Sequence, residues 1–125
     1  MKECPKIVAV DDDEGFRCLM IAMMQRLIGN ISSFQSASSA WEYIKESRVD
    51  ILVSDVEMDG MGGLELLSRV KREFPEVKCI IVSGNPCNES PARKLGADAF
   101  LLKPFSPMDL AEALRIADEA KWYTP

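Results

Sequence analysis

Apolar residues fall along this chain in short, nearly continuous runs that alternate with stretches of helical spacing. Lys6-Ile7-Val8-Ala9-Val10 predicts a strand buried on both faces, and three acids, Asp11-Asp12-Asp13, follow it. Phe16, Leu19, Met20, Met23, Met24 and Leu27 recur at spacings of three and four, which predicts one apolar helix face with Asp13 as N-cap and Gly29 as stop. Residues 31–36 read as a weaker second strand, and Ser38 or Ser39 as the cap of a helix burying Ala40, Trp41 and Ile44. Asp50-Ile51-Leu52-Val53-Ser54-Asp55 is the central run: a buried strand with a carboxylate at its carboxyl end. A glycine-rich loop, Gly60-Met61-Gly62-Gly63, then leads into a helix marked by Leu64, Leu67 and Val70 and closed by Phe74-Pro75. Lys78-Cys79-Ile80-Ile81-Val82-Ser83 predicts a fourth strand. Residues 84–91 hold two prolines and few apolar groups, so only a short helix is expected, over 91–95, ended by Gly96. Ala99-Phe100-Leu101-Leu102 predicts a fifth strand, and Ser106 the cap of a last helix with Leu110, Ala113, Leu114 and Ala117 facing inward.

Five strands alternating with helices imply an α/β fold: one three-layer domain, a parallel sheet with helices on both faces. A chain of 125 residues fits one such domain and one core. A net charge of −5 argues against a nucleic-acid or anionic-membrane surface. The opening residues carry no apolar core for a signal peptide, and no stretch is long enough to span a bilayer, so a cytoplasmic protein is expected. There is no histidine, and Cys4, Cys18, Cys79 and Cys87 show no paired spacing. That excludes a Ser-His or Cys-His catalytic pair and disfavours zinc. Reduced thiols are expected, with Cys18 and Cys79 as small core residues.

The polar residues carry the chemistry. Asp11, Asp12, Asp55, Ser83 and Lys103 all stand at carboxyl ends of predicted strands, the edge where open α/β sheets bind ligands. Three carboxylates brought together repel, and a hard divalent cation relieves them; Mg2+ takes a few such oxygens and leaves room for a phosphate oxygen. Acid, metal, hydroxyl and ammonium together suit phosphoryl transfer to a carboxylate, with Asp55 as nucleophile.

These motifs resemble the receiver domain of two-component response regulators. The matching residues are Val10-Asp11-Asp12, Leu52-Val53-Ser54-Asp55 with Met58 and Gly60 to Gly63, Ile81-Val82-Ser83-Gly84, and Gly96 through Phe105. The resemblance covers nearly the whole chain. It implies the strand order 2-1-3-4-5 and a single receiver domain over 1–125, with its core in about 5–120 and no output domain. It implies that Asp55 accepts a phosphoryl group from a sensor histidine kinase or a histidine phosphotransfer protein, changing a face that binds a downstream protein. The resemblance gives Mg2+ to Asp11, Asp12, Asp55 and the backbone carbonyl of Glu57. Ser83 and Phe100 resemble the family's switch pair, Lys103 its phosphate-contacting lysine, and Pro104 its cis-proline. Such a domain catalyses only its own phosphorylation and dephosphorylation and is otherwise no enzyme.

Asp59 stands where the family usually has proline and Gly62 where it often has aspartate, which bears on the stiffness of that loop. The interval from Ser83 to Lys103 is shorter than usual in the family, which implies a short or irregular fourth helix. Two other readings compete. Asp55-Val56-Glu57 faintly resembles the start of haloacid-dehalogenase-type phosphatases, with Asp55 as nucleophile and Glu57 as acid. The third is a receiver-like binding module whose site is dormant.

Overall fold

The computed structural model describes residues 5–27 and 30–118. Gly29, Cys4, the side chain of Leu27 and the tail at 121–125 lie outside the described residues. The five apolar runs become five strands: β1 Ile7–Val10, β2 Ile31–Phe34, β3 Ile51–Asp55, β4 Lys78–Ser83 and β5 Ala99–Leu102. All pair in parallel, in the order β2-β1-β3-β4-β5. β3 lies at the centre and all five of its residues are buried, as its unbroken apolar run requires of a strand covered on both faces.

Five helices connect the strands: α1 Glu14–Leu27, α2 Ala37–Glu46, α3 Gly63–Glu73, α4 Glu89–Lys94 and α5 Pro107–Asp118. The side-chain alternation of the strands divides the core in two. Ile7, Ala9, Ile51, Val53, Ile80, Val82 and Leu101 pack with the methionines of α1 and with Leu110, Ala113 and Leu114 of α5. Val8, Val10, Leu52, Cys79 and Ile81 pack on the other face, with α2 and α3. Each buried Ile, Leu or Val contributes about 1.5–3 kcal/mol of burial free energy, so both helix layers are held by the sheet's alternation.

Local signals fix the helix ends. The Asp13 carboxylate accepts from the Phe16 N–H at 2.8 Å, capping α1. Ser106 and Asp109 cap α5 reciprocally: Asp109 N–H donates to Ser106 Oγ at 3.1 Å and Ser106 N–H to Asp109 Oδ2 at 3.0 Å. Leu110, Ala113, Leu114 and Ala117 are buried as expected.

Four expectations need correction. β2 stops at Phe34, so the extended Ser36, and neither Ser38 nor Ser39, caps α2; its Oγ accepts from Ser39 N–H at 3.1 Å. Leu19 is 51% exposed at the edge of the α1 stripe, while Met20, Met23 and Met24 fill the core. Cys18, one residue earlier, is exposed and is not a core residue. Cys79 is buried, and burial pushes its thiol up to about 12, which makes it inert as a nucleophile. The expected helix over 91–95 is instead a 3₁₀ turn, Pro86–Asn88, continuous with the six-residue α4. Asn85 accounts for the earlier start: its side chain accepts from Cys87 N–H at 2.9 Å and nucleates the turn. Gly96 N–H to Arg93 carbonyl and Ala97 N–H to Ala92 carbonyl, both 3.0 Å, then close α4.

The start of α3 lacks a side-chain cap, because Gly62 occupies the N-cap position with ordinary extended dihedrals (φ −84°, ψ 170°). A Cβ there would meet only the Val56 carbonyl, at a van der Waals 3.5 Å. Gly62→Ser therefore supplies a cap and restricts the unfolded chain, for a gain of about 0.5–1 kcal/mol. Urea denaturation should show a higher midpoint at unchanged slope; an unchanged or lower midpoint would contradict the capping argument.

Candidate phosphoacceptor site

The register sets the site. Val10 pairs with Ser54, so Asp11 and Asp55, the next residues, leave β1 and β3 at the same level. Asp55 pairs with Val82, and Ser83 with Leu102. Asp55, Ser83 and Lys103 thus follow one another across three neighbouring strand ends.

Asp11 is fully buried and Asp12 is exposed. Asp11 Oδ1 accepts from Asp13 N–H at 2.9 Å, and its Oδ2 from Lys103 Nζ at 3.2 Å. The Arg17 guanidinium donates to the Asp11 carbonyl at 2.8 Å. Asp12 Oδ2 accepts, at 3.4 Å, from the backbone N–H of Asp59. A proline at 59 has no such donor, so the departure from the family pattern adds a tie between the loop and the acid pair. Asp55 is 3% exposed. Its Oδ1 lies 3.2 Å from Lys103 Nζ, an ion-pair distance, and makes no hydrogen bond among the described residues. Lys103 also stands 4.2 Å from the centre of the Phe16 ring, which packs edge-on against Phe105. The Lys103–Pro104 peptide is cis, as the resemblance implied.

Burial and the neighbouring Asp11 charge push the Asp55 carboxyl up from 3.8 to about 6, although Lys103 pulls the other way. For Lys103, burial disfavours the ammonium, but the charges of Asp55 and Asp11 outweigh it and the pKa is raised. One oxygen from each of Asp11, Asp12 and Asp55 lies within 4.8 Å of the others. One ammonium cannot neutralise three carboxylates. The under-bonded Asp55 Oδ1 and the all-oxygen donor set fit Mg2+, a hard cation that retains water.

Ser83 is fully buried. Its Oγ lies 3.0 Å from Glu57 Oε2, 3.2 Å from Glu57 Oε1 and 3.3 Å from the Asn85 carbonyl. It accepts from Asn85 N–H at 3.0 Å and from Asn88 Nδ2 at 2.9 Å. Asn88 Nδ2 also donates to Glu57 Oε2. Sequence reasoning gave Glu57 a backbone role in the receiver reading and a side-chain role only as the acid of the phosphatase reading, and gave Asn88 none; the polar Asn85-Pro86-Cys87-Asn88 run was the one available signal. Phe16 was read as core, and its contact with Lys103 was missed. Phe100, paired with Ile81, lies half-buried on the same sheet face as Ser83 and packs against the core under α2 and α3.

The fold and this acidic mouth define a doubly wound α/β signalling domain with a carboxylate as its central group. Residues 7–115 match the response regulator receiver domain, and the chain belongs to that family. Receiver domains are phosphoacceptor switches and not enzymes in the usual sense. The chain is 28% identical over 116 residues to the DNA-binding transcriptional regulator NtrC of Azospirillum brasilense, covering 91% of this chain and 24% of that protein. It superposes on the signal receiver domain of an HD domain-containing protein from Pseudomonas fluorescens Pf-5 with a TM-score of 0.89 at 25% identity, covering 96% and 90% of the two chains. It also superposes on the response regulator TrrA of Thermotoga maritima, solved with Mg2+ and BeF, at a TM-score of 0.85 and 23% identity, covering 90% and 98%. The chain spans about half or less of the length of its first curated relatives.

Proposed function

We propose that Asp55 is the phosphoacceptor of a two-component phosphorelay. The observation that carries this reading is the state of Asp55: a buried carboxylate with an unsatisfied oxygen, set between two further acids and one lysine. An Asp55 oxygen attacks phosphorus, a bond forms between them, and the bond from phosphorus to a donor histidine nitrogen breaks. Asp11, Asp12, Asp55 and the Glu57 backbone carbonyl would hold Mg2+, which when bound supplies positive charge to the phosphoryl oxygens. Lys103, already directed at Asp55, turns its ammonium to the new phosphate, and the Phe16 ring and Asp11 keep it from swinging into solvent. Ser83 donates its hydroxyl to a phosphoryl oxygen, and Phe100, on the same face of the neighbouring strand, fills the space its movement opens.

The proposed donor is a sensor histidine kinase or a histidine phosphotransfer protein, and the output is a downstream protein rather than nucleic acid or membrane. Leu102 and Ile116, both exposed, line one concavity with Phe100 and Phe105 between β5 and α5 and offer an apolar surface for it. The described residues contain no helix long and apolar enough to cross a membrane, and a cytoplasmic setting follows from the proposed partners. Residues 1–125 act as one receiver unit. The phosphatase reading needs Glu57 as a free acid, but its carboxylate is engaged by Ser83 and Asn88.

Incubation with acetyl phosphate and Mg2+ should yield an acyl phosphate that peptide mapping after borohydride reduction locates at Asp55, and EDTA should reduce labelling to background. Labelling at full rate in EDTA would rule out the metal assignment. Stable label at any residue other than Asp55 would rule out the acceptor.

A further inference from the structure

The Ser83 hydroxyl is already saturated. It has one hydrogen and two lone pairs. Asn85 N–H and Asn88 Nδ2 take the lone pairs, at 3.0 and 2.9 Å. Of the acceptors within reach of the hydrogen, the Glu57 carboxylate is nearest, at 3.0 Å, and is the stronger as an ion. Ser83 therefore cannot donate to a phosphoryl oxygen at Asp55 without first leaving Glu57. Glu57 is exposed, so water re-solvates the released carboxylate and the bond opens at modest cost.

Asn88 gives this arrangement a mechanical outlet. It ends the 3₁₀ turn and stands at the N-cap of α4, yet its side chain makes no capping hydrogen bond. Its amide is held instead by Ser83 and Glu57. Loss of Ser83 from that triangle frees the Asn88 side chain, which stands at the junction of the 3₁₀ turn and α4.

We propose that Glu57 and Asn88 are positioning residues that latch the Ser83 hydroxyl away from Asp55, and that Asn88 passes its release to α4. This rests on the reading of Asp55 as phosphoacceptor. It supplies a route from the site to the α4 surface that does not pass through Phe100.

A double-mutant cycle separates the latch from the simple removal of a negative charge. The quantity measured is the calorimetric affinity for beryllofluoride in saturating Mg2+, in wild type, Glu57→Ala, Ser83→Ala and the double variant. Glu57→Ala should tighten binding about fivefold in the wild-type background, the equivalent of one hydrogen bond, and at most about twofold when Ser83 is absent. The lost charge is common to both backgrounds; equal gains in both would overturn the latch. In the intact wild type, the Asn88 side-chain amide resonance should move when Mg2+ and beryllofluoride are added. An unmoved resonance at saturation would overturn the transmission to α4. A wild type that binds no beryllofluoride would overturn the reading of Asp55 and the latch with it, whereas normal binding with additive variants overturns the latch alone.

Discussion

Asp55→Asn should abolish labelling by acetyl phosphate and, in the metal-free protein at neutral pH, raise the stability of the domain by about 1–3 kcal/mol. Both effects come from one cause. The buried carboxylate sits beside Asp11 with its Oδ1 unsatisfied, and its pKa is raised from 3.8 to about 6. A raised carboxyl pKa means that the folded state prefers the proton. The penalty is absent below about pH 4, grows as pH rises toward 6, and is complete above it. At most it equals about two pKa units, or about 3 kcal/mol, and the need to satisfy a buried asparagine amide lowers the net gain. Thermal melts in EDTA should therefore show the variant ahead by roughly 5–10 °C at pH 7.5 and level with wild type near pH 4. Added Mg2+ should stabilise wild type more than the variant, since it neutralises a charge that asparagine lacks. A variant no more stable than wild type in EDTA at pH 7.5 would mean that burial and the Asp11 charge do not penalise the Asp55 carboxylate. An active-site group that costs stability is a common feature of functional sites.

The parts of this site that could be read in the sequence are those written locally. β1, β3 and β4 were legible as runs of buried apolar residues, and β5 as a short apolar run bounded by turn residues, so the polar group ending each strand was placed at the mouth without any tertiary information. Asp11, Asp55, Ser83 and Lys103 were found in this way. The edge strand β2 was less clear, since Ile31-Ser32-Ser33-Phe34 is only half-buried and polar on one side; its end was misread, and the cap of α2 with it. Leu19 and Cys18 were misassigned because spacing gives the direction of a helix stripe, whereas its width depends on which neighbours cover its edges. The Glu57–Ser83–Asn88 triangle was not legible at all. It joins residues 26 and 31 positions apart, and an exposed glutamate in a loop carries no local mark of its partner.

The glycines after Asp55 read in the sequence as a loop, and this is where structure changes the argument most. Gly63 has no left-handed dihedral to explain it. A Cβ built there would lie 1.9 Å from the Asp55 carbonyl oxygen, 2.8 Å from its carbon and 2.9 Å from Val56 Cα. These are backbone atoms at the end of the central strand, so no side-chain rotation relieves the overlap. α3 starts against β3 at this point, and the Gly63 N–H donates to the Val56 carbonyl at 3.0 Å. Gly63→Ala must drive the first turn of α3 away from β3 or displace Asp55 itself. We expect a loss of about 3 kcal/mol or more, at the upper end for overpacking, and acetyl phosphate labelling slowed at least tenfold in the fraction that folds. Two other glycines calibrate the result. Gly60 has open space but a φ of +75°, so Gly60→Ala should cost about 1 kcal/mol through strain alone. Gly84 has neither a close neighbour nor a positive φ, and Gly84→Ala should be neutral within about 0.5 kcal/mol. Urea denaturation of the three variants should rank them Gly84, Gly60, Gly63 in order of increasing damage. If Gly63→Ala were as mild as Gly84→Ala, the close seat of α3 on β3 would be wrong, and with it the account of what fixes Asp55 in place.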